Sequence, residues 1–221
     1  MPREVLCITV MTELLPIAEL TNPADLKIVF RDIFHCYQWL VEEAKILHPD
    51  VSAANIMFRY GSDGSVHGVL NDFDRAIRND VLRSPSSHQR TGTAPYMAID
   101  ILRTSPPPIH QYRHDLESLY YVLVCTVGPA DHPSIRDWFT LGGRQMAAVK
   151  RDFFDQVPLA PRAGFEVFLK WIKAIHIAFV RGLQEQTNNT MGWEGDKPYD
   201  DETLGGKVSF DTFSVIFEDL A

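Results

Sequence analysis

Positive charge is scarce in this sequence and nowhere concentrated. Lys and Arg number 21 against 29 Asp and Glu, for a net charge of -8. Contacts to a phosphate backbone or an anionic bilayer need clustered Lys and Arg, so nucleic acid and membrane are excluded as principal partners. Cysteine is also rare. Cys7, Cys36 and Cys125 are odd in number, widely spaced and set in apolar stretches. That pattern excludes a disulfide framework and a zinc site, and predicts buried thiols in a reducing compartment. The longest apolar run, Leu119 to Val127, is far short of a membrane span. Met1 to Glu4 lacks a basic segment ahead of a small-residue cleavage site, so an intracellular protein, cytoplasmic or nuclear, is expected. No internal repeat and no G-x-S-x-G hydrolase elbow occurs.

With 221 residues, 45% of them hydrophobic and 23% charged, the chain has the makings of one sizeable core. Glu4 to Met11 reads as a short strand. Asn22-Pro23-Ala24-Asp25 then starts a helix, with Asn as N-cap, Pro in the first position and an acid in the first turn. Leu26, Val29, Phe30, Ile33, Tyr37, Leu40, Val41, Ala44 and Leu47 recur at three- and four-residue steps. The spacing predicts about six helical turns running straight into His48. Leu116 to Val127 has almost no polar face past its first turn and predicts a buried axial helix. Gln145 to Val157 and Phe165 to Gln186 are amphipathic, and His176 in the second is expected in the core. Asn188 to Gly206 is rich in Gly, Asn and Asp and predicts a mobile loop before a docking helix from Phe210 to Leu220.

The chemistry is concentrated in His48-Pro49-Asp50-Val51-Ser52-Ala53-Ala54-Asn55 and in Asp72-Phe73-Asp74. Between them Ile56, Phe58 and Tyr60 alternate, Gly61-Ser62-Asp63-Gly64 is a turn, and Val66 to Leu70 is the return arm of a hairpin. A hairpin brings its open ends together, which predicts Asn55 beside Asp72 with Asp50 above them. Two carboxylates and an amide oxygen at one open end suit a hard cation such as Mg²⁺, which binds substrate phosphates along with waters.

The spacing resembles the protein kinase pattern H-R-D-x-x-x-x-N followed by D-F-G. Two further stretches narrow the resemblance. Arg90-Thr91-Gly92-Thr93-Ala94-Pro95-Tyr96-Met97-Ala98-Ile99-Asp100 resembles the substrate-docking loop and A-P-E end of an activation segment. Tyr112 to Leu123 resembles the start of the central C-lobe helix. Together they resemble the fungal-type protein kinase domain over roughly residues 5 to 185.

The resemblance implies an α+β fold, mainly α: a kinase-like C-lobe at 16–187 with a short hairpin at the catalytic loop. Residues 1–15 would be a residual N-lobe strand and hinge, with the rest of the N-lobe missing, and 188–221 the mobile loop and docking helix. It implies transfer of the ATP γ-phosphate to protein Ser/Thr hydroxyls, with ATP and Mg²⁺ as cofactors. Asp50 would orient the hydroxyl and accept its proton, Asn55 and Asp72 would hold Mg²⁺, and Met11 and Glu13 would face the adenine. His48, Asp74, Thr93, Asp100 and Asp115 would be structural, Asp115 by accepting hydrogen bonds from the catalytic-loop backbone. Ser84, Ser86, Ser87, Thr91 and Thr93 offer hydroxyls for phosphorylation, and Arg75, Arg78 and Arg83 could pair a phosphate.

The sequence departs from that pattern in several places. Pro49 stands in place of the Arg, Ser52 in place of a Lys against the γ-phosphate, Asp74 in place of the Gly of D-F-G, and Asp100 in place of the A-P-E glutamate. No Gly-rich loop or strand Lys precedes His48. The alternatives are therefore a non-catalytic, pseudokinase-like module, with a protein partner over the exposed N-lobe side, and a truncated gene product. A small-molecule kinase of the aminoglycoside or choline type is a further reading, opposed by the docking-loop segment.

Overall fold

The computed structural model describes residues 13–80, 92–192 and 198–219. Helix α1 (Pro23–Glu42) starts where the caps predict, with the Asn22 side chain accepting from the Ala24 amide at 2.9 Å. Its buried stripe runs Leu26, Val29, Phe30, Ile33, Phe34, Tyr37, Leu40 and Val41. The helix stops a turn short of the sequence expectation. Lys45 takes φ 58, a left-handed turn that a helix cannot pass through. Ile46–Leu47 (β2) then leaves as a strand and pairs with Ile77–Arg78 (β5), Leu47 opposite Ile77. A short strand, not the helix itself, thus delivers the chain to His48.

The hairpin forms as read. Strands β3 (Ile56–Tyr60) and β4 (Val66–Leu70) pair antiparallel with Ile56 opposite Leu70 and Tyr60 opposite Val66. Leu15–Pro16 (β1) adds a third strand along β3. Gly68 lets this sheet lie on α1: a Cβ there would stand 2.6 Å from the Val29 carbonyl oxygen, and its amide donates to Asp32 Oδ2 at 2.8 Å.

Helix α3 (Tyr112–Val127) is the axis, with Leu116, Leu119, Tyr120, Tyr121, Val122, Leu123, Val124 and Val127 all buried. Its first turns are buried as well, Arg113, His114, Asp115 and Glu117 included. Arg113, Asp115 and Glu117 are tolerated there because each finds partners, while His114 pairs through Nδ1 and its Nε2 has none among the described residues. Around it stand α2 (Ile99–Arg103), α4 (Pro133–Thr140), α5 (Gly143–Asp155) and α6 (Leu169–Thr190). Helix α7 (Phe210–Asp219) docks on α1 by aromatic stacking, Phe34 against Phe217 at 5.0 Å.

Two sequence expectations need correction. Residues 188–190 close α6, and in 198–206 Leu204 is fully buried while Asp201 binds Arg113, so neither of these two described parts is a free loop. Cys36 is exposed and Cys125 half-buried, where buried thiols are predicted; Cys36 faces outward because the apolar stripe of α1 passes through its neighbours on the other side. The Glu4 to Met11 strand, Cys7 and Leu220 lie outside the described residues. Among those described, no helix is long and apolar enough to cross a membrane.

Candidate active site

His48 opens the candidate loop and is fixed at three points. Its amide donates to Asp115 Oδ2 at 3.2 Å, its Nε2 donates to the Asn71 carbonyl at 3.0 Å, and its ring meets the edge of Phe73 at 5.0 Å. The loop is thereby tied both to the axial helix and to the far arm of the hairpin. Asp115 accepts in addition from Tyr37 Oη and lies 2.6 Å from His110 Nε2. Burial, and then the Asp115 carboxylate, push the Tyr37 hydroxyl well above the usual phenol range, so it stays a donor.

Asn55 turns its amide nitrogen inward to the Asp50 carbonyl at 2.9 Å, which leaves its side-chain oxygen uncommitted among the described residues. The Asn71 amide closes the hairpin on the Asn55 carbonyl at 2.8 Å. Asn71, not Asp72, is therefore the residue opposite Asn55. Asp72 follows one step later at φ 59, exposed, with its Oδ1 accepting from the Asp74 amide at 3.3 Å. Left-handed Asp costs on the order of 1 kcal/mol and is met where a site imposes it. Asp74 is exposed.

The Asp50 carboxylate is held from the other side. Its Oδ1 accepts from both the amide and the hydroxyl of Thr93, at 2.8 and 2.7 Å. Its Oδ2 faces Arg75 Nε at 3.8 Å, and the side chain is only 13% exposed. Gly92 makes the close approach possible: at φ +115 it sits with a Cβ position 2.5 Å from the Pro49 carbonyl. Thr93 is thus committed to Asp50 and is not a free hydroxyl for modification. Ser84, Ser86, Ser87, Thr91 and Arg83 lie outside the described residues, and Arg78 pairs with Asp80 at 2.5 Å.

Behind Thr93 the chain is anchored by charges of which the sequence singles out only Asp100. Lys150, 0% exposed, donates to the Met97 carbonyl at 2.5 Å and lies 3.7 Å over the Tyr121 ring. Burial pulls its ammonium down to about 7, against the attraction of Glu117. Glu117, whose own carboxyl burial pushes up, accepts from the Ile99 amide at 2.9 Å and from Tyr121 Oη at 2.6 Å. Asp100 is buried against Arg113 Nη2 at 2.9 Å and Gln186 Nε2 at 2.8 Å, and Arg113 also reaches Asp201. Apart from Glu117 and Tyr121, which lie one turn apart on α3, no spacing in the sequence signals these pairs, since their members come from separate elements.

Of the two residues expected to face the adenine, Glu13 is exposed at the entry to β1, and Met11 lies outside the described residues. Ser52 is fully buried, with its carbonyl accepting from the Asn55 amide and its hydroxyl without a partner among the described residues. It is packed beneath the loop and not presented to a phosphate.

The sequence matches the family described as Fungal protein kinase over residues 3–127, more than half of the chain. The chain belongs to the fungal protein kinase family. That match spans the loop of Asp50 and Asn55, the hairpin, the Thr93 segment and the whole of α3. Among solved structures this fungal kinase domain is similar to one described as "Structure of vaccinia related kinase 3". The TM-score is 0.53 at 17% identity, and the match covers 82% of this chain and 61% of that one. At that identity the likeness is one of fold. It agrees with a mostly helical α+β domain with small antiparallel sheets. No curated protein matches the sequence.

Proposed function

We propose that this chain carries the substrate-side half of a protein kinase site, a kinase C-lobe, and that it serves transfer of the ATP γ-phosphate to Ser/Thr hydroxyls of a protein. The observation that carries this reading is the double hold on Asp50, its carboxylate gripped by Thr93 and its carbonyl by Asn55. Phosphoryl transfer is mostly positioning and charge neutralisation. With Oδ1 occupied by two donors, Asp50 Oδ2 is the atom left to orient an incoming hydroxyl and accept its proton. The freed Asn55 oxygen and the exposed Asp72 carboxylate fit a hard cation that takes few protein ligands. These two residues would hold Mg²⁺, which neutralises phosphate charge when bound. His48 sets the distance between the two ends of the site through Asn71 and Asp115, and the Lys150–Met97 and Glu117–Ile99 bonds keep Thr93 in register with Asp50.

A second reading, binding of a protein partner without transfer, is favoured by Ser52. The loop position that would put a cation on the transferred group holds a small, buried hydroxyl instead.

Thermal unfolding with and without excess Mg²⁺-ATP separates the two. Ligand at about a hundred times its Kd stabilises by roughly 2.7 kcal/mol. In a domain of this size that is on the order of 5 to 10 °C. The kinase reading expects such a shift, its loss in Asp72→Asn, and phosphate incorporation into a protein that disappears in Asp50→Asn. A cooperative transition that nucleotide does not move would sink it and leave the binding module.

A further inference from the structure

A groove of about 460 Å³ opens beside the Asp50 loop. Ala53, three residues beyond Asp50, and Tyr96, three beyond Thr93, form part of its wall, so it shares its framework with the candidate site. Its floor is apolar: Ile17 and Leu20 from the entry to α1, and Ile135 and Phe139 from α4. Phe139 is largely exposed, yet its ring is held edge-on to Tyr96 at 5.9 Å. The volume falls within the range of sites that take a few side chains of a ligand.

The charge of this groove is the reverse of the chain's. The sequence has 29 Asp and Glu, but among the described residues none that lines the groove is acidic, and the charged ones are Arg136 and Arg162. Arg162 is preset: its guanidinium stacks on the Phe165 ring at 4.3 Å and its amide donates to the Val127 carbonyl at 2.9 Å. The Arg136 side chain is 68% exposed and pairs only with its neighbour Asp137 among the described residues, at 3.7 Å, a surface contact that a ligand carboxylate can displace. Two arginines from separate segments, one on α4 and one in the stretch before α6, border the groove. They suit separate carboxylates carried by one extended chain.

We propose that this groove selects acidic peptide segments carrying an apolar residue, the apolar side chain seated on Phe139 and Leu20 and the carboxylates on Arg136 and Arg162. The inference rests on the reading of the substrate as a protein, and names its class. Charge of this kind gives specificity and on-rate more than raw affinity.

Fluorescence anisotropy of the full chain tests it without needing phosphotransfer. The probes are a fluorescein-labelled peptide with one Ser and one Phe among Glu residues, the same peptide with Lys in place of every Glu, and a third with Gly in place of Phe. The Glu-Phe peptide is expected to bind about tenfold more tightly than either of the others at low salt, with the charge preference fading as salt rises. Arg136→Glu, at an exposed position that leaves folding intact, should erase or invert the charge preference, and Arg162→Glu should do the same. Equal binding of the Lys peptide, no binding of the Glu-Phe peptide, or an unchanged preference in Arg136→Glu overturns the proposal. If peptide discrimination survives while Mg²⁺-ATP produces no shift, the kinase reading falls and the groove stands. The opposite pair of results removes the groove alone.

Discussion

Replacing Asp115 by Ala should loosen the candidate site and the fold together. The Asp115 carboxylate is 1% exposed and serves three groups: the Tyr37 hydroxyl, the His48 amide and the His110 ring. Tyr37 and His48 are buried too, so water does not replace the lost acceptor without opening the core. A buried donor left unsatisfied costs about 1–3 kcal/mol. Relief of the buried charge pulls the other way, but it does not restore partners to two donors. The net expectation is a loss of about 3–5 kcal/mol, or roughly 6–20 °C in Tm for a domain of this size. Asp115→Asn keeps one acceptor oxygen and should lose about half as much. Urea unfolding gives the stability, and hydrogen exchange read at the His48 amide shows whether the loop is released locally. A loss under about 1 kcal/mol in Asp115→Ala, with the His48 amide still protected, would refute the claim that this carboxylate ties the loop to the axial helix.

Two further perturbations probe the supports of the site. The Lys150 ammonium is held near 7 in the fold but titrates near 10.4 when unfolded. Between those values the unfolded chain binds the extra proton, so stability falls as the pH drops from about 10 to about 7, by at most roughly 1.4 kcal/mol per pH unit. Lys150→Met should remove that slope from urea titrations run across the interval, and an identical slope in the variant would count against it. Gly68→Ala places a methyl 2.6 Å from the Val29 carbonyl, which must push the hairpin off α1. The expected cost is about 1–3 kcal/mol in thermal unfolding, together with a weaker Mg²⁺-ATP shift because Asn71 and Asp72 ride on that hairpin. A shift equal to that of the unaltered chain would mean that the hairpin's seat on α1 does not position Asp72.

What the sequence determined by itself was local. The start of α1 follows from Asn22 and Pro23, its buried face from the three- and four-residue steps, and the hairpin from alternation across a Gly-containing turn. The nearness of Asn55 to the Asn71–Asp72 segment follows from the same hairpin, because a short antiparallel pair leaves its ends no choice. Tertiary structure alone decided where α1 ends, since a helical stripe runs on to Leu47 on paper while pairing with Ile77 pulls Ile46–Leu47 into a strand. It also decided that Asn71 takes the place opposite Asn55 and that Thr93 serves Asp50 instead of offering a free hydroxyl. The hold of Asp115 on His48, 67 residues away, was legible only through the family resemblance, and that of Lys150 on Met97, 53 residues away, has no local signature at all. Periodicity names the face of an element that must leave water. Which polar residue on that face survives burial depends on the partner that packing brings to it, and that partner can come from any part of the chain.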